Sequence, residues 1–277
     1  MNRARGVDRA GTLVVWLSAL LVTAVLAFMV GDLTTRGIRG LSPAYLFGSP
    51  ADAGRQGGIL PIIVSTAALV AICHAFVLPI GVGTAIFLVE VVPAQNRFGR
   101  IVRLGLEVLA GVPSVIFGLF GSALFCNVLG FGFSLLSGGL TLACMVLPFF
   151  IRATEEGLRA VSDEVRMTAA GLGLTRTRAL FRVIIPAASF SLSSAVLLAT
   201  GRALAETAAL IFTSGYVDRM PRSLLDSGRS ISIHIYDLAM NVPGGDQNAA
   251  RSALVLLFSV CAMNIVFRRI AMKLARA

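Results

Sequence analysis

Long apolar runs separated by short charged stretches organise the chain from end to end. The first run, GTLVVWLSALLVTAVLAFMVG, extends from Gly11 to Gly31, and five more follow at about 60–89, 104–125, 133–151, 187–214 and 250–267. A helix of about 20 mostly apolar residues crosses roughly 30 Å of hydrocarbon and satisfies all of its own backbone groups. The pattern therefore predicts an all-α, polytopic membrane protein with six transmembrane helices. The first run follows Arg3, Arg5 and Arg9. It is too long for a cleaved signal and lacks a small-x-small cleavage site, so it is expected to stay as an anchor.

Composition agrees with the pattern and removes the soluble alternatives. Hydrophobic residues make up 56% of the 277 and charged ones 14%, too few to cover a water-soluble globule of this length. Basic residues of the amino terminus, of 90–103 (Arg97, Arg100, Arg103), of 152–182 and of the tail (Arg268, Arg269, Lys273, Arg276) add to sixteen; those of the alternate loops add to seven. Positive charge stays inside, so both termini are expected in the cytoplasm. The net charge of +10 is then a topology signal, and no loop has the dense basic and aromatic mixture of a nucleic-acid binder.

Reactive chemistry is sparse. Cys73, Cys126, Cys144 and Cys261 stand alone in or beside apolar runs, and His74 and His234 are the only histidines. They read as packing residues, with His74 a bundle-facing imidazole, and no metal or other cofactor is implied. No nucleotide-binding glycine loop, metalloprotease or hydrolase motif is present. The chain is not expected to be an enzyme or to hydrolyse ATP itself.

The loop RATEEGLRAVSDEVRMTAAGLGLTRTRALFRVIIPAA (152–188) is the most informative polar stretch. Ser162 is expected to cap a helix that opens with Asp163 and Glu164, whose charges suit its positive end. Gly171 and Gly173 end that helix. Thr175 can cap the next, which carries Arg176, Arg178 and Arg182 and re-enters the membrane near Pro186. Charge alone fits a solvated connector. The spacing of Met167-Thr168-Ala169, three residues, Gly173, nine residues, Val183-Ile184-Ile185-Pro186 resembles the EAA loop of ABC importer permeases. Met167 stands where that pattern has Glu, which removes a salt bridge to the ATPase.

Further stretches narrow the resemblance over about residues 60–267. LPIGVGTAIFLVE (78–90), LEVLAGVPSVIFGLFG (106–121), LPFFIRATEEGLRAV (147–161) and GRALAETAALIFTSG (201–215) together resemble the permeases of the phosphate-specific ABC importer, a pair of related subunits, PstA and PstC. The ending ETAALIFTSG, followed by SISIHIYDLAMN (230–241), looks like the PstA type. What the resemblance implies is the type I importer permease fold in a bacterial inner membrane. Residues 1–59 would hold the first helix and first periplasmic loop, and 60–277 a core with its coupling loop at about 152–186. Implied partners are a PstC-like permease around which the first helix wraps, two ATPase subunits and a periplasmic phosphate-binding protein. In that picture the helix Asp163–Gly171 sits in a cleft of the ATPase, and the cycle of ATP binding and hydrolysis opens the bundle outward and back. Permeases for molybdate or sulfate, and the PstC-type partner, remain alternatives.

Arg202 and Glu206 lie in the fifth run, four residues apart and so on one face of a continuous helix. That face is expected to look inward, since a charge facing lipid costs about 3 kcal/mol or more. A structural ion pair, a contact of Arg202 with passing phosphate, and a proton relay are the three readings of this pair. Gly81 and Gly83 after Pro79, and Gly111, Pro113, Gly118 and Gly121, supply close approaches or bends. A bend near Pro113 is expected to place the third helix in the bundle interior.

Overall fold

The computed structural model describes residues 2–93 and 95–274; the side chains of 2–10, 270, 271, 273 and 274 are not described, so Arg3, Arg5, Arg9, Lys273 and Arg276 lie outside the described positions. The chain opens with α1 (Asn2–Gly37). A short α2 (Pro43–Phe47), capped by Ser42, and a small hairpin of β1 (Pro50–Ala51) and β2 (Gln56–Gly57) lead into α3 (Leu60–Ile86), which ends in a π turn, Phe87–Val91. Then come α4 (Arg97–Ala110) and α5 (Ser114–Gly121), the latter continued by a π turn at Ser122–Val128. A long α6 (Leu135–Arg159) precedes α7 (Asp163–Gly171) and α8 (Arg176–Ala179). A π turn at Leu180–Ile184 joins α8 to α9 (Ile185–Ala187) and α10 (Ser189–Ala205). Last are α11 (Ala208–Ile211), α12 (Ile231–Met240) and α13 (Asp246–Leu274).

Among the described residues four helices are long and apolar enough to cross a bilayer singly, and two bent pairs bring the number to as many as six if each pair is one span. The bent pairs are the third and fifth runs. In the third, α4 and α5 meet at 97°, with the bend at 111–113, where proline cannot donate to the ladder. Residues 104–110 therefore belong to the other arm of the bend, and Arg97, Arg100 and Arg103 are on α4, a helix where a loop was expected. In the fifth, the chain turns by 68° at Ala188. Pro79 leaves no such mark: α3 runs through it as one helix.

Association in lipid relies on close packing, because hydrocarbon is as apolar as the side chains. The core joins Leu69, Cys73 and Val77 of α3 to Leu142, Met145 and Phe150 of α6, with Ala195 and Ala199 of α10 against them. Gly118 of α5 lies against the backbone of α11, where an added Cβ would stand 2.8 Å from Ala209 Cα. The outer side of α5 remains exposed at Ile116, Leu119 and Phe120. Within this chain, then, the third span is one wall of the bundle, packed on α11 through Gly118 and open at Ile116, Leu119 and Phe120. Residues 11–31 of α1 are exposed throughout, and Gly37 approaches Ala250 and Leu254 of α13.

Cys73 and Cys126 are buried, whereas Cys261 is exposed. His74 Nδ1 lies 2.9 Å from Val70 O and Nε2 2.9 Å from Thr200 Oγ1, which pins α3 to α10.

The connection after α11 is held by Arg229, which bonds Tyr216 O, pairs with Asp237 at 3.0 Å and lies 3.2 Å from His234 Nδ1. Burial on α12, outside the six spans, and then the Arg229 charge push the His234 pKa down to about 4. A folded-state pKa below the unfolded one means that the stabilisation is present above about pH 6.5 and is lost as pH falls toward 4, on the order of 3 kcal/mol. Thermal unfolding of the purified protein is expected to show this acid loss, and His234→Gln to flatten it; an equal slope in the variant would exclude His234 as its source.

Candidate functional site

Arg202 occupies the last turn of α10, about 13 residues and roughly 20 Å from Ser189. The bend at Ala188 shortens the straight path that a continuous helix from Pro186 would have. Its guanidinium lies 5.9 Å from the centre of the Phe149 ring on α6, a cation–π arrangement. Arg202 is partly buried. Among the described residues no carboxylate is within ion-pairing distance of it.

Glu206 is not on the helix. At φ −73°, ψ 129° its backbone is extended and ends α10, so the shared face expected from the four-residue spacing does not exist. Its carboxylate turns forward and accepts from Ala209 N–H at 3.0 Å, capping α11. Ser232 Oγ of α12 donates to Glu206 O, and Ile231 N–H donates to Thr66 Oγ1 of α3 at 2.9 Å. The Glu206 carbonyl and the Ala209 amide at the break are thus both met by protein.

At the opposite end, α7 projects between α6 and α8. Ser162 sits at the cap position but makes no side-chain cap bond, contrary to expectation; Asp163 and Glu164 in the first turn still oppose the helix dipole. Thr175 caps α8, accepting from Arg178 N–H at 3.4 Å. Gly173 has φ +68°. Gly173 N–H donates to Ala170 O and Leu174 N–H to Ala169 O, the two hydrogen bonds that close a helix on a left-handed residue. Ala169 is 2% exposed and Met167 65%, so Met167 and Thr168 face outward while Ala169 faces inward. Beneath lies an apolar bed of Ala85, Leu158, Val161 and Ile184, with Val165 of α7 packed on it. Pro186 sits in α9, just before the bend at Ala188.

Sequence reasoning missed a set of ion pairs at this end. Glu155 of α6, 1% exposed, meets Arg103 of α4 at 2.6 Å, Arg159 at 3.0 Å and Arg152 at 3.5 Å. Arg166 of α7 pairs with Glu90, in the π turn after α3, at 2.6 Å. The available signal was position for three of them: Glu90, Arg103 and Glu155 lie at or near the ends of apolar runs, where a lone charge is expensive, whereas Arg166 stands in the middle of the polar loop.

A family model described as "Binding-protein-dependent transport system inner membrane component" matches residues 77–277. The chain belongs to that family of transport permeases. As a permease it is a transport component and not an enzyme. It is 27% identical to "Probable ABC transporter permease protein YqgI" of Bacillus subtilis over 97% of this chain and 96% of that one. It is 32% identical to phosphate transport system permease protein PstA of Mycobacterium leprae over 91% of this permease and 80% of that one. PstC of Haemophilus influenzae is 30% identical over 92% and 89%. Among solved structures, a bacterial ABC transporter chain involved in alginate import aligns with TM-score 0.64 at 16% identity, over 92% of this permease and 95% of that chain. The MetNI methionine transporter aligns at 0.60 over 78% and 94%. The fold is that of type I ABC importer permeases.

Proposed function

We propose that this permease moves inorganic phosphate into the cytoplasm by alternating access, as one of two membrane subunits of an ATP-driven importer in a bacterial inner membrane. Relatives named as phosphate permeases support the substrate, and Arg202 carries it. A partly buried guanidinium in a spanning helix, with an aromatic ring beside it and its nearest acidic neighbour in sequence bonded elsewhere, keeps its donor fork for an anion. Guanidinium matches phosphate bidentately.

ATP coupling runs through residues 152–186, where Asp163, Glu164, Met167 and Thr168 meet the ATPase and Gly173 and Pro186 fix the exit of the chain. Residues 60–277 form the core of the permease, and residues 1–59, with the exposed α1, contact the partner subunit. The PstA type fits ETAALIFTSG and the stretch after it, and the partner is then PstC-like, with two ATPase subunits and a periplasmic phosphate-binding protein completing the complex. Both termini face the cytoplasm, as the loop charges require.

Labelled-phosphate uptake in cells lacking and then regaining the gene tests this. Regained uptake that excess molybdate or sulfate does not suppress is the expected result; uptake of one of those anions in place of phosphate overturns the assignment.

A further inference from the structure

The Arg166–Glu90 pair joins α7 to α3 at a place that neither packing nor capping requires. Arg166 Nη1 donates to Glu90 Oε1 at 2.6 Å, and Nη2 donates to Leu158 O of α6 at 2.9 Å. One guanidinium thus holds the ends of two spans. Both side chains of the pair are about three-quarters buried, with 24% and 25% exposed.

The contact continues beyond α7. Two residues before Glu90, Leu88 O accepts from Arg103 of α4 at 2.9 Å, and the same guanidinium donates to Glu155 of α6 at 2.6 Å. The π turn Phe87–Val91 brings Glu90 to Arg166 and Leu88 O to Arg103 within one short segment. A π turn inserts an extra residue in the ladder and often marks a functional position. Along this line of bonds, α7, α3, α4 and α6 are linked at one end of the molecule.

An apolar bed alone would let α7 slide or roll, because dispersion contacts are weakly directional. Two charge-assisted bonds from one planar fork fix both its direction and its distance. We propose that Arg166 and Glu90 are positioning residues that transmit displacement of α7 to the second span, and through Leu88 and Arg103 to α4. The proposal rests on the reading of α7 as the ATPase-facing segment. In these terms the pair is a strut: it touches no substrate and sets how far α3 moves when α7 is moved.

The test uses the complete transporter in proteoliposomes, with solute moved and ATP hydrolysed measured together. Glu90→Gln and Arg166→Gln are each expected to keep the ATPase subunits bound and ATP hydrolysis running. Solute moved per ATP should fall at least about fivefold, the lower end of coupling between sites. Reversal of both charges, Glu90→Arg with Arg166→Glu, is expected to recover part of the ratio; recovery is incomplete because a carboxylate on α7 has no proton to donate to Leu158 O.

A merely structural pair would lower yield and leave the ratio unchanged. An unchanged ratio in both single variants overturns the proposal, as does a double reversal no better than the singles. If the wild-type complex carries molybdate or sulfate and not phosphate, the phosphate assignment falls and the same ratio is read with that anion, so the two failures are told apart.

Discussion

Arg202→Gln is expected to lower phosphate uptake at least about a hundredfold, the value of a bidentate guanidinium–phosphate contact at roughly 1.5–3 kcal/mol per charge-assisted bond. Assembly is expected to survive. The variant strips no counter-ion from a buried carboxylate, since Glu206 is bonded to Ala209 N–H and not to Arg202. Arg202→Lys keeps the charge but loses the planar fork, and uptake should fall between wild type and Gln. Glu206→Gln, which retains an acceptor for the cap, should give no rescue when combined with Arg202→Gln, because the Glu206 carboxylate is bonded to Ala209 N–H and not to Arg202. Native gels for the complex, run beside uptake on the same cells, check both halves. Normal uptake by Arg202→Gln would take this side chain off the substrate path.

Gly173→Val is expected to abolish uptake with the chain still inserted. At φ +68° the residue sits in the left-handed region, and no atom lies within 4 Å of where its Cβ would stand. The cost is thus one of backbone, about 1–2 kcal/mol for an L-residue and more for a β-branched one. Relief of that strain breaks the bonds from Gly173 and Leu174 to Ala170 and Ala169 and redirects α8 relative to α7. Asparagine visits this conformation readily, so Gly173→Asn should transport well. Membrane fractionation reports insertion, and uptake reports coupling. Equal activity in Val and Asn variants would mean that the angle between α7 and α8 is unimportant.

Hydropathy exposed the spans because the bilayer imposes a length and a composition on each, and Leu60–Val91 and Leu135–Arg159 follow that constraint. It could not expose the bends. Gly111 and Pro113 gave a local signal for one, but α10 ends at Ala205 where Ser232 of α12 bonds Glu206 O, and the turn at Ala188 lies in an apolar bed with Ala85 and Leu158, contacts between segments distant in sequence. The pairing of Arg202 with Glu206 failed for the same reason: periodicity holds only while the helix does. Gly173 was legible because its requirement is local. Glu90, Arg103, Glu155 and Arg166 were not, since their partners lie 52 and 76 residues apart.

The near-right angle between α4 and α5 has a consequence for how the molecule sits in lipid. Phe98, Ile101, Leu104 and Val108 form an exposed apolar edge on α4, while Arg103 and Glu107 on other sides bond to α6. If α5 crosses the bilayer, α4 lies nearly flat, with its oily edge at the boundary between headgroups and acyl chains. A flat helix there acts as a float. A thinner or thicker bilayer would then, through hydrophobic mismatch, load the Arg103–Glu155 pair that ties this helix to α6.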